Sequence, residues 1–169
     1  MFEQGFPLEL RSVLHKVLGL ISTQTYNNVS IGYSEGHNNE EYVLLDGSSV
    51  TFPYRIYYID DENIYKKLDN REEKLIYDCI FSRSCDGYVR EKHLKNLLID
   101  DMPEWCMPYV LKLSSEYVKE IVDEIDAHFE SGMAAGKTED EMLSLTQRDF
   151  WLTDEEAVAF GIVDGVLGK

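Results

Sequence analysis

The most regular pattern of apolar and polar residues lies in the second half of the chain, between residues 108 and 129. Apolar residues recur there at three- and four-residue steps, and charged residues fill the positions between them. This spacing predicts a single amphipathic helix from Pro108 to Phe129, because a helix places such positions on one face. Proline suits its first turn, and Gly132 suits its end. We therefore expect this helix to form the centre of the core.

Shorter helical patterns precede it. Apolar spacing predicts a helix from Pro7 to about Thr23. Acidic residues at 60–62 mark the start of a short helix that extends to Leu68, since carboxylates complement a helix N-terminus. Asn70 with Glu73 resembles a capping pair and predicts a helix that ends near Asp86-Gly87. A further helix is predicted over 88–99, with these residues facing inward: Val89, His93, Leu94, Leu97 and Leu98.

One stretch has the composition of a β-hairpin. Residues 42–45 and 50–59 are rich in Val, Ile, Tyr and Phe, and Asp46-Gly47 between them favours a tight turn. Pro53 cannot donate to a sheet, so it places the second strand at an edge or divides it. The aromatic residues of this strand are expected to cover the core, with a binding surface as the alternative. The polar stretch 26–41, which includes His37, is predicted to be a mobile connection.

The C-terminal part carries two helix-start signals. Thr138 with Glu141 and Thr153 with Glu156 both have the spacing of a capping box, so two small helices are expected after a Gly/Ala/Lys linker. The fold class is therefore α+β and mainly helical, with a small hairpin packed beside antiparallel helices. We expect a single domain over 1–169, composed of a hairpin and helical core (1–132) and a tail (133–169).

The amino-acid composition favours some classes of binding partner over others. The chain has 169 residues and a formal net charge of -16. This excess of acid disfavours binding to nucleic acid or to anionic membranes, and it leaves a protein partner as the expected one. Three cysteines without a close pairing pattern, and no signal-like or membrane-spanning run, predict a cytoplasmic protein with reduced thiols. The sequence does not indicate the oligomeric state.

Metal and cofactor sites have little support. The cysteines and His93 form the pattern C-x5-C-x7-H-x12-C, which lacks the close cysteine pair of a zinc site. The acidic residues at 60–62 and 100–101 lack the spaced oxygen ligands of a calcium loop. We expect neither a metal nor a cofactor.

A set of arginines and carboxylates between residues 83 and 120 is a candidate for a binding site, because two predicted helices and the turn at 86–87 can bring these side chains together. An arginine and carboxylate cluster of this kind binds an anionic group of a partner or pins the turn between helices, and the second reading is favoured. With two nearby aromatic residues, the partner-binding candidates are Arg83, Asp86, Tyr88, Arg90, Trp105, Glu116 and Glu120.

The C-terminal segment resembles a known family. From Gln147 to Asp164 the chain reads Arg-Asp, an aromatic pair, Leu-Thr, an acidic run to Glu-Ala, and an aromatic followed by Gly-Ile-Val-Asp. This run is similar to the C-terminal end of the proteolytic subunit of the Clp protease family, and the looser similarity covers residues 138–167. The resemblance implies that Asp149 matches the aspartate that orients the family's catalytic histidine.

The other catalytic parts of that family have no counterpart in the sequence. Its serine and histidine precede the aspartate on a βαβ-type core, and residues 1–129 show no such alternation of strands and helices. Gly136 stands where a serine loop similar to residues 132–136 would carry its serine. We therefore predict a non-catalytic interaction or accessory protein that acts through an acidic and aromatic surface. The alternative is a hydrolase, or an inactive relative of one, that is similar to the Clp proteolytic subunit and retains Asp149.

Overall fold

The described part of the chain is mainly helical and contains two small antiparallel sheets. The computed structural model describes residues 2–26, 29–31, 41–44, 47–99, 101–116 and 118–134. In these ranges the chain forms α1 (Arg11–Leu18), β1 (Gln24–Tyr26), β2 (Val29–Ile31), β3 (Glu41–Val43), β4 (Ser49–Thr51), α2 (Glu62–Tyr65), α3 (Arg71–Phe81), α4 (Gly87–Leu97), α5 (Met107–Ser114) and α6 (Lys119–Ala134). The α+β class predicted from the sequence is confirmed. The helices predicted after Thr138 lie outside the described residues.

The N-terminal helix is shorter than its apolar pattern predicts. Pro7 is extended and is followed by a 3-10 turn, Leu8–Leu10, before α1 begins. After Leu18 the chain turns at Gly19 and Leu20, and the backbone carbonyl of Ser22 then accepts a hydrogen bond from the N–H of Ile59 at 3.0 Å. The predicted helix over 7–23 is therefore wrong at both ends. Its buried face, Leu14 and Val17, is as expected.

The predicted hairpin is present, and a second one was not expected. β3 pairs with β4 in antiparallel register, from Glu41 opposite Thr51 to Val43 opposite Ser49. Gly47 lies in the turn with a φ of 84°, which a residue without a Cβ adopts at little cost. β4 ends at Thr51 rather than near residue 59, because Pro53 follows two residues later. β2 lies in the stretch predicted to be a connection and pairs with β1, so that prediction is wrong for 29–31; residues 27–28 and 32–40 lie outside the description.

The middle helices begin at the expected caps. The Asn70 side chain accepts from the Glu73 N–H at 2.9 Å, and Asp61 accepts from the Asn63 N–H at 2.8 Å. Asp86 accepts from the Tyr88 N–H at 2.9 Å. Asp86-Gly87 therefore begins α4 instead of ending α3. The latter stops at Phe81.

The long helix predicted over 108–129 is divided into α5 and α6. The hydroxyls of Ser114 and Ser115 donate to the carbonyls of Leu111 and Lys112 at 2.7 and 3.0 Å, and such bonds compete with helix continuation. Glu116 follows in the junction, and its side chain contacts arginines from other elements. α6 then continues to Ala134, so Gly132 does not end it.

The core is built from α3, α4, α5 and α6 together with an aromatic layer from the N-terminal half. Phe52 lies between Tyr109 and Tyr42, with ring centroids 4.0 and 5.3 Å away, and Phe6 stacks on Tyr109 at 5.4 Å. Phe52 is buried, which supports the expected core role at that position. Within the described residues, no helix is both long and apolar enough to cross a membrane.

Candidate functional site

Three arginines from separate parts of the chain converge on one carboxylate. Arg55 Nη2 lies 2.6 Å from Glu116 Oε1, Arg90 Nη2 lies 3.0 Å from Oε2, and Arg83 Nη2 lies 3.7 Å from Oε1. The side chains of Arg55, Arg83, Arg90 and Glu116 are 15%, 0%, 8% and 8% exposed. These four residues are called the arginine cluster below. The structure brings together three of the predicted site residues and adds Arg55.

Backbone contacts hold the arginine cluster in place. The N–H of Ile56 donates to the Arg83 carbonyl at 2.8 Å, and the Cys85 N–H donates to the Ile56 carbonyl at 3.0 Å. This short bridge sets Arg55 beside Arg83. Arg90 reaches the same place from the first turns of α4, where its Nη1 donates to the Ser84 and Cys85 carbonyls at 2.9 and 3.2 Å.

The pKa of Arg83 is lowered by its surroundings. Its enclosure, together with the positive charge of Arg55, lowers the pKa of Arg83 to about 10, although Glu116 opposes the change. Arg83 Nη2 donates to the Tyr54 carbonyl at 2.9 Å, whereas its Nε and Nη1 have no hydrogen-bond partner among the described residues. The Nε of Arg90 is in the same state. Three buried donor atoms, Arg83 Nε, Arg83 Nη1 and Arg90 Nε, thus have no hydrogen-bond partner in the described part of the chain.

The remaining predicted site residues lie apart from these contacts. Asp86 is the exposed cap of α4, and Tyr88 in the first turn of that helix is 85% exposed. Trp105 is partly buried with its ring 5.7 Å from that of Phe6, which belongs to the aromatic layer. Glu120 is exposed in the first turn of α6. Only Arg83, Arg90 and Glu116 of the predicted set are thus in direct contact.

A second buried polar group, which the sequence did not reveal as a group, surrounds His93. The Nδ1 of this fully buried ring lies 2.6 Å from Oδ1 of Asp78. Its Nε2 lies 3.2 Å from Oδ1 of Asp60, an ion-pair contact outside hydrogen-bond alignment. Tyr65 and Tyr77 donate their hydroxyls to Asp78 and Asp60 at 3.0 and 3.1 Å. We call these five side chains the histidine network.

Charges within the histidine network favour an ionised ring. Burial disfavours the charged form, but the contacts with Asp60 and Asp78 outweigh it and raise the pKa of His93. Burial also disfavours the Asp60 carboxylate, but the charged contacts with His93 and Lys92 outweigh it and lower the pKa of Asp60. The inward position of His93 was the only sequence signal for this network. Its partners are 33 and 15 residues away.

The cysteines do not form a site with His93. Cys79 and Cys106 are buried, while Cys85 is exposed, and all three are free thiols. Burial, followed by contact with Cys106, raises the pKa of the Cys79 thiol well above its usual value. Among the residues that the structure describes, no three His, Cys, Asp or Glu side chains form a group that could hold a metal ion.

An open groove of about 600 Å³ lies between the N-terminal 3-10 turns and the β3–β4 hairpin. Among the residues that the structure describes, its lining contains three glutamates, Glu3, Glu9 and Glu41, and one cation, Arg11. Phe6, Pro7 and Leu8 supply its apolar part, and Leu8 is 73% exposed. We call this feature the acidic groove. It combines negative charge with an accessible apolar side chain.

Comparison with known proteins gives one similarity. The family model described as Clp protease matches residues 111–169, about a third of the chain. No curated protein and no solved structure matches the chain. The match begins inside α5, 27 residues before the looser similarity that the sequence showed from residue 138, and it continues through α6. Asp149 belongs to the matched segment but lies outside the described residues. The C-terminal part of this chain is thus similar to the Clp protease family.

Proposed function

We propose that the protein is a non-catalytic interaction protein that binds a basic segment of a partner protein in the acidic groove. The observation that carries this proposal is the groove itself, whose described lining holds three glutamates and one arginine beside an exposed leucine. Apolar anchors contribute most of the binding energy at protein interfaces, and complementary charge speeds association and selects the partner. A formal net charge of -16 adds to the attraction for a basic segment.

The serines in the described part of the Clp-like segment support a non-catalytic function. Ser114, Ser115 and Ser131 each donate the hydroxyl hydrogen to a backbone carbonyl three residues earlier, at 2.7, 3.0 and 2.7 Å. A nucleophilic serine requires a general base within hydrogen-bond reach of its hydroxyl. These hydroxyls are instead used in helix-end contacts.

Charge reversal in the acidic groove tests the proposal. Glu9→Lys/Glu41→Lys, immobilised as the full chain, should lose a partner that the wild type captures from lysate of the native host. Glu72→Lys is the matched control, because Glu72 is exposed on α3 and outside the groove. Capture should also weaken as salt is raised, since screening reduces charge attraction. Equal capture by the groove variant and the wild type would contradict the proposal.

The contribution of residues 138–169, the last part of the Clp-like segment, is tested separately. A chain without residues 138–169 is first checked for retained helical circular dichroism and then compared with the full chain in the same capture. If the partner is lost with this segment while the groove variant still binds, docking takes place on the Clp-like segment. If binding survives, the acidic groove is sufficient.

The second candidate function is a hydrolase relative of the Clp protease family, which the match over 111–169 favours. A fluorophosphonate probe labels activated serines and distinguishes the two functions. The interaction protein remains unlabelled. Labelling of the wild type that disappears in Asp149→Asn would establish the hydrolase instead.

A further inference from the structure

Residues 60–67 form a strap that is attached to α3 and α4 by polar side chains. Both ends of the strap are fixed: the Ile59 N–H donates to the Ser22 carbonyl at 3.0 Å, and Leu68 is buried. Between these ends, α2 contains no buried residue, and two of its side chains are partly buried against the core. A helix of four residues does not persist in water on its own, so the strap depends on its contacts with the neighbouring helices.

The histidine network supplies those contacts. Asp60 Oδ1 lies 3.2 Å from Nε2 of His93 on α4, and it accepts a hydrogen bond from the Tyr77 hydroxyl of α3 at 3.1 Å. The Tyr65 hydroxyl donates to Asp78 Oδ2 at 3.0 Å. The strap therefore contributes one carboxylate and one hydroxyl to a group of side chains whose centre is the fully buried His93.

Both nitrogens of the His93 ring face carboxylate oxygens. Nδ1 lies 2.6 Å from Asp78, and Nε2 lies 3.2 Å from Asp60. A charged ring has an N–H at both positions, whereas a neutral ring has only one. Because the contact with Asp78 is the shorter of the two, a neutral ring keeps its hydrogen on Nδ1. The lone pair of Nε2 then faces the Asp60 carboxylate, so loss of the proton replaces an attraction between the ring and the strap by a repulsion.

We propose that the strap is a pH-sensitive element, which is closed over His93 while the ring is charged and opens when the ring loses its proton. Opening of the strap uncovers the Nε2 edge of the ring. Among the described residues, these titratable side chains face the ring or its carboxylate partners: Asp60, Tyr65, Tyr77, Asp78 and Lys92.

The direction of the change follows from the pKa values of the strap and the ring. Burial raises the pKa of Tyr65 and of Tyr77, and the charged contacts with His93 and Lys92 outweigh burial and lower the pKa of Asp60, so these three groups keep their charge state between pH 6 and pH 9. Contacts with the two carboxylates raise the pKa of His93 in the closed state. The closed strap thus holds the proton more tightly than the open strap, and a rise in pH favours opening.

Amide hydrogen exchange of the full chain, measured by mass spectrometry on a peptide that covers residues 60–67, tests the strap. The Asp61 N–H donates to the Tyr77 hydroxyl at 3.1 Å, and the N–H groups of residues 64–67 donate within the strap, so opening exposes all of them to exchange. Each rate is divided by the intrinsic exchange rate at the same pH, which gives a protection factor.

The protection factor of the strap should fall about tenfold between pH 6 and pH 9, because a difference of one unit between the His93 pKa of the closed and open forms changes the opening constant tenfold. The protection factors of α5 should not fall in parallel. Equal protection of the strap at both pH values would overturn the proposal. A parallel fall in α5 would also overturn it, since the whole fold would then be loosening.

Two variants of the strap complete the test. Asp60→Asn removes the carboxylate, and its amide can donate to a neutral Nε2, so the protection factor should be about equal at the two pH values. Glu62→Gln is the matched control, because it removes the same charge from a strap side chain that is 70% exposed and lies outside the histidine network. It should keep the pH dependence of the wild type. The proposal is wrong if Asp60→Asn keeps this dependence or if Glu62→Gln loses it. The strap does not line the acidic groove, so this result is independent of the proposed function.

Discussion

Replacement of Asp78 by asparagine perturbs the histidine network with almost no change in shape. Asp78 is 2% exposed and accepts three hydrogen bonds: from His93 Nδ1 at 2.6 Å, from Asn96 Nδ2 at 2.9 Å and from the Tyr65 hydroxyl at 3.0 Å. An asparagine retains one acceptor oxygen and turns an amide N–H₂ toward one of these donors. It also removes the charge that faces the imidazolium ring.

The expected loss of stability is large. Removing one partner of a buried ion pair costs about 3–5 kcal/mol, and the retained amide oxygen places Asp78→Asn near the lower value, about 3 kcal/mol. A chain of this size loses about 2–4 °C in melting temperature for each kcal/mol, which gives a decrease of about 6–12 °C. Since domains are stable by about 5–15 kcal/mol, this is a considerable part of the total.

The loss should depend on pH in a defined direction. The pKa of His93 is raised in the folded protein, so the stability that its charge contributes is complete below its ordinary value of 6.5. That contribution is lost as the pH rises through the folded pKa. Asp60 stays ionised over this range, because its pKa is lowered. The difference between wild type and Asp78→Asn should therefore be largest below pH 6.5 and become smaller above it.

Urea unfolding followed by circular dichroism at pH 6, 7.5 and 9 measures this difference. Asp101→Asn is the control: its side chain is 76% exposed and pairs with Arg71, so its effect should stay below about 1 kcal/mol at every pH. A loss below about 1 kcal/mol for Asp78→Asn would refute the assignment of a buried ion pair. A loss that does not change with pH would show that the charge on His93 does not contribute.

Three further predictions concern packing, capping and thiol exposure. Gly5→Ala should lower the free energy of unfolding by about 1–3 kcal/mol, because a Cβ at this position would lie 2.6 Å from the Tyr109 hydroxyl oxygen. The double variant with Tyr109→Phe lacks that oxygen and should recover a measurable part of the loss. Asn70→Ala should cost about 1 kcal/mol in urea unfolding, since the cap of α3 is lost; no change would contradict the capping role. In the native protein a maleimide reagent should label Cys85 and leave the two buried cysteines until urea is added; labelling of all three at the same rate would disprove their burial.

Residues close in sequence were the easiest to interpret. The caps at Asp61 and Asn70 and the turn at Gly47 were predicted in the correct places, because each depends on contacts within about four residues. The division between α5 and α6 was missed. The apolar spacing continues across it, and the side chain that marks it, Glu116, is bound by arginines from distant parts of the chain.

The candidate site was predicted only in part, because some of its residues are close in sequence and others are not. Arg83, Arg90 and Glu116 were selected because adjacent helices and a turn carry them. Arg55 was missed, although it is the one cation in the aromatic stretch 50–59 and could have been recognised as a site residue for that reason. For the histidine network, the sequence predicted only that His93 faces inward. Its two carboxylate partners were missed because they come from other elements.

The sequence by itself determined the fold class, the starts of α2 and α3, the turn of the β3–β4 hairpin and the similarity of the C-terminal part to the Clp protease family. These follow from local spacing, capping and motif, which the chain carries within short windows. Only the tertiary structure decided which charged side chains meet. Burial strengthens these electrostatic interactions, because it excludes the water that would screen the arginine cluster and the histidine network. Residues far apart in the chain therefore shift each other's pKa values.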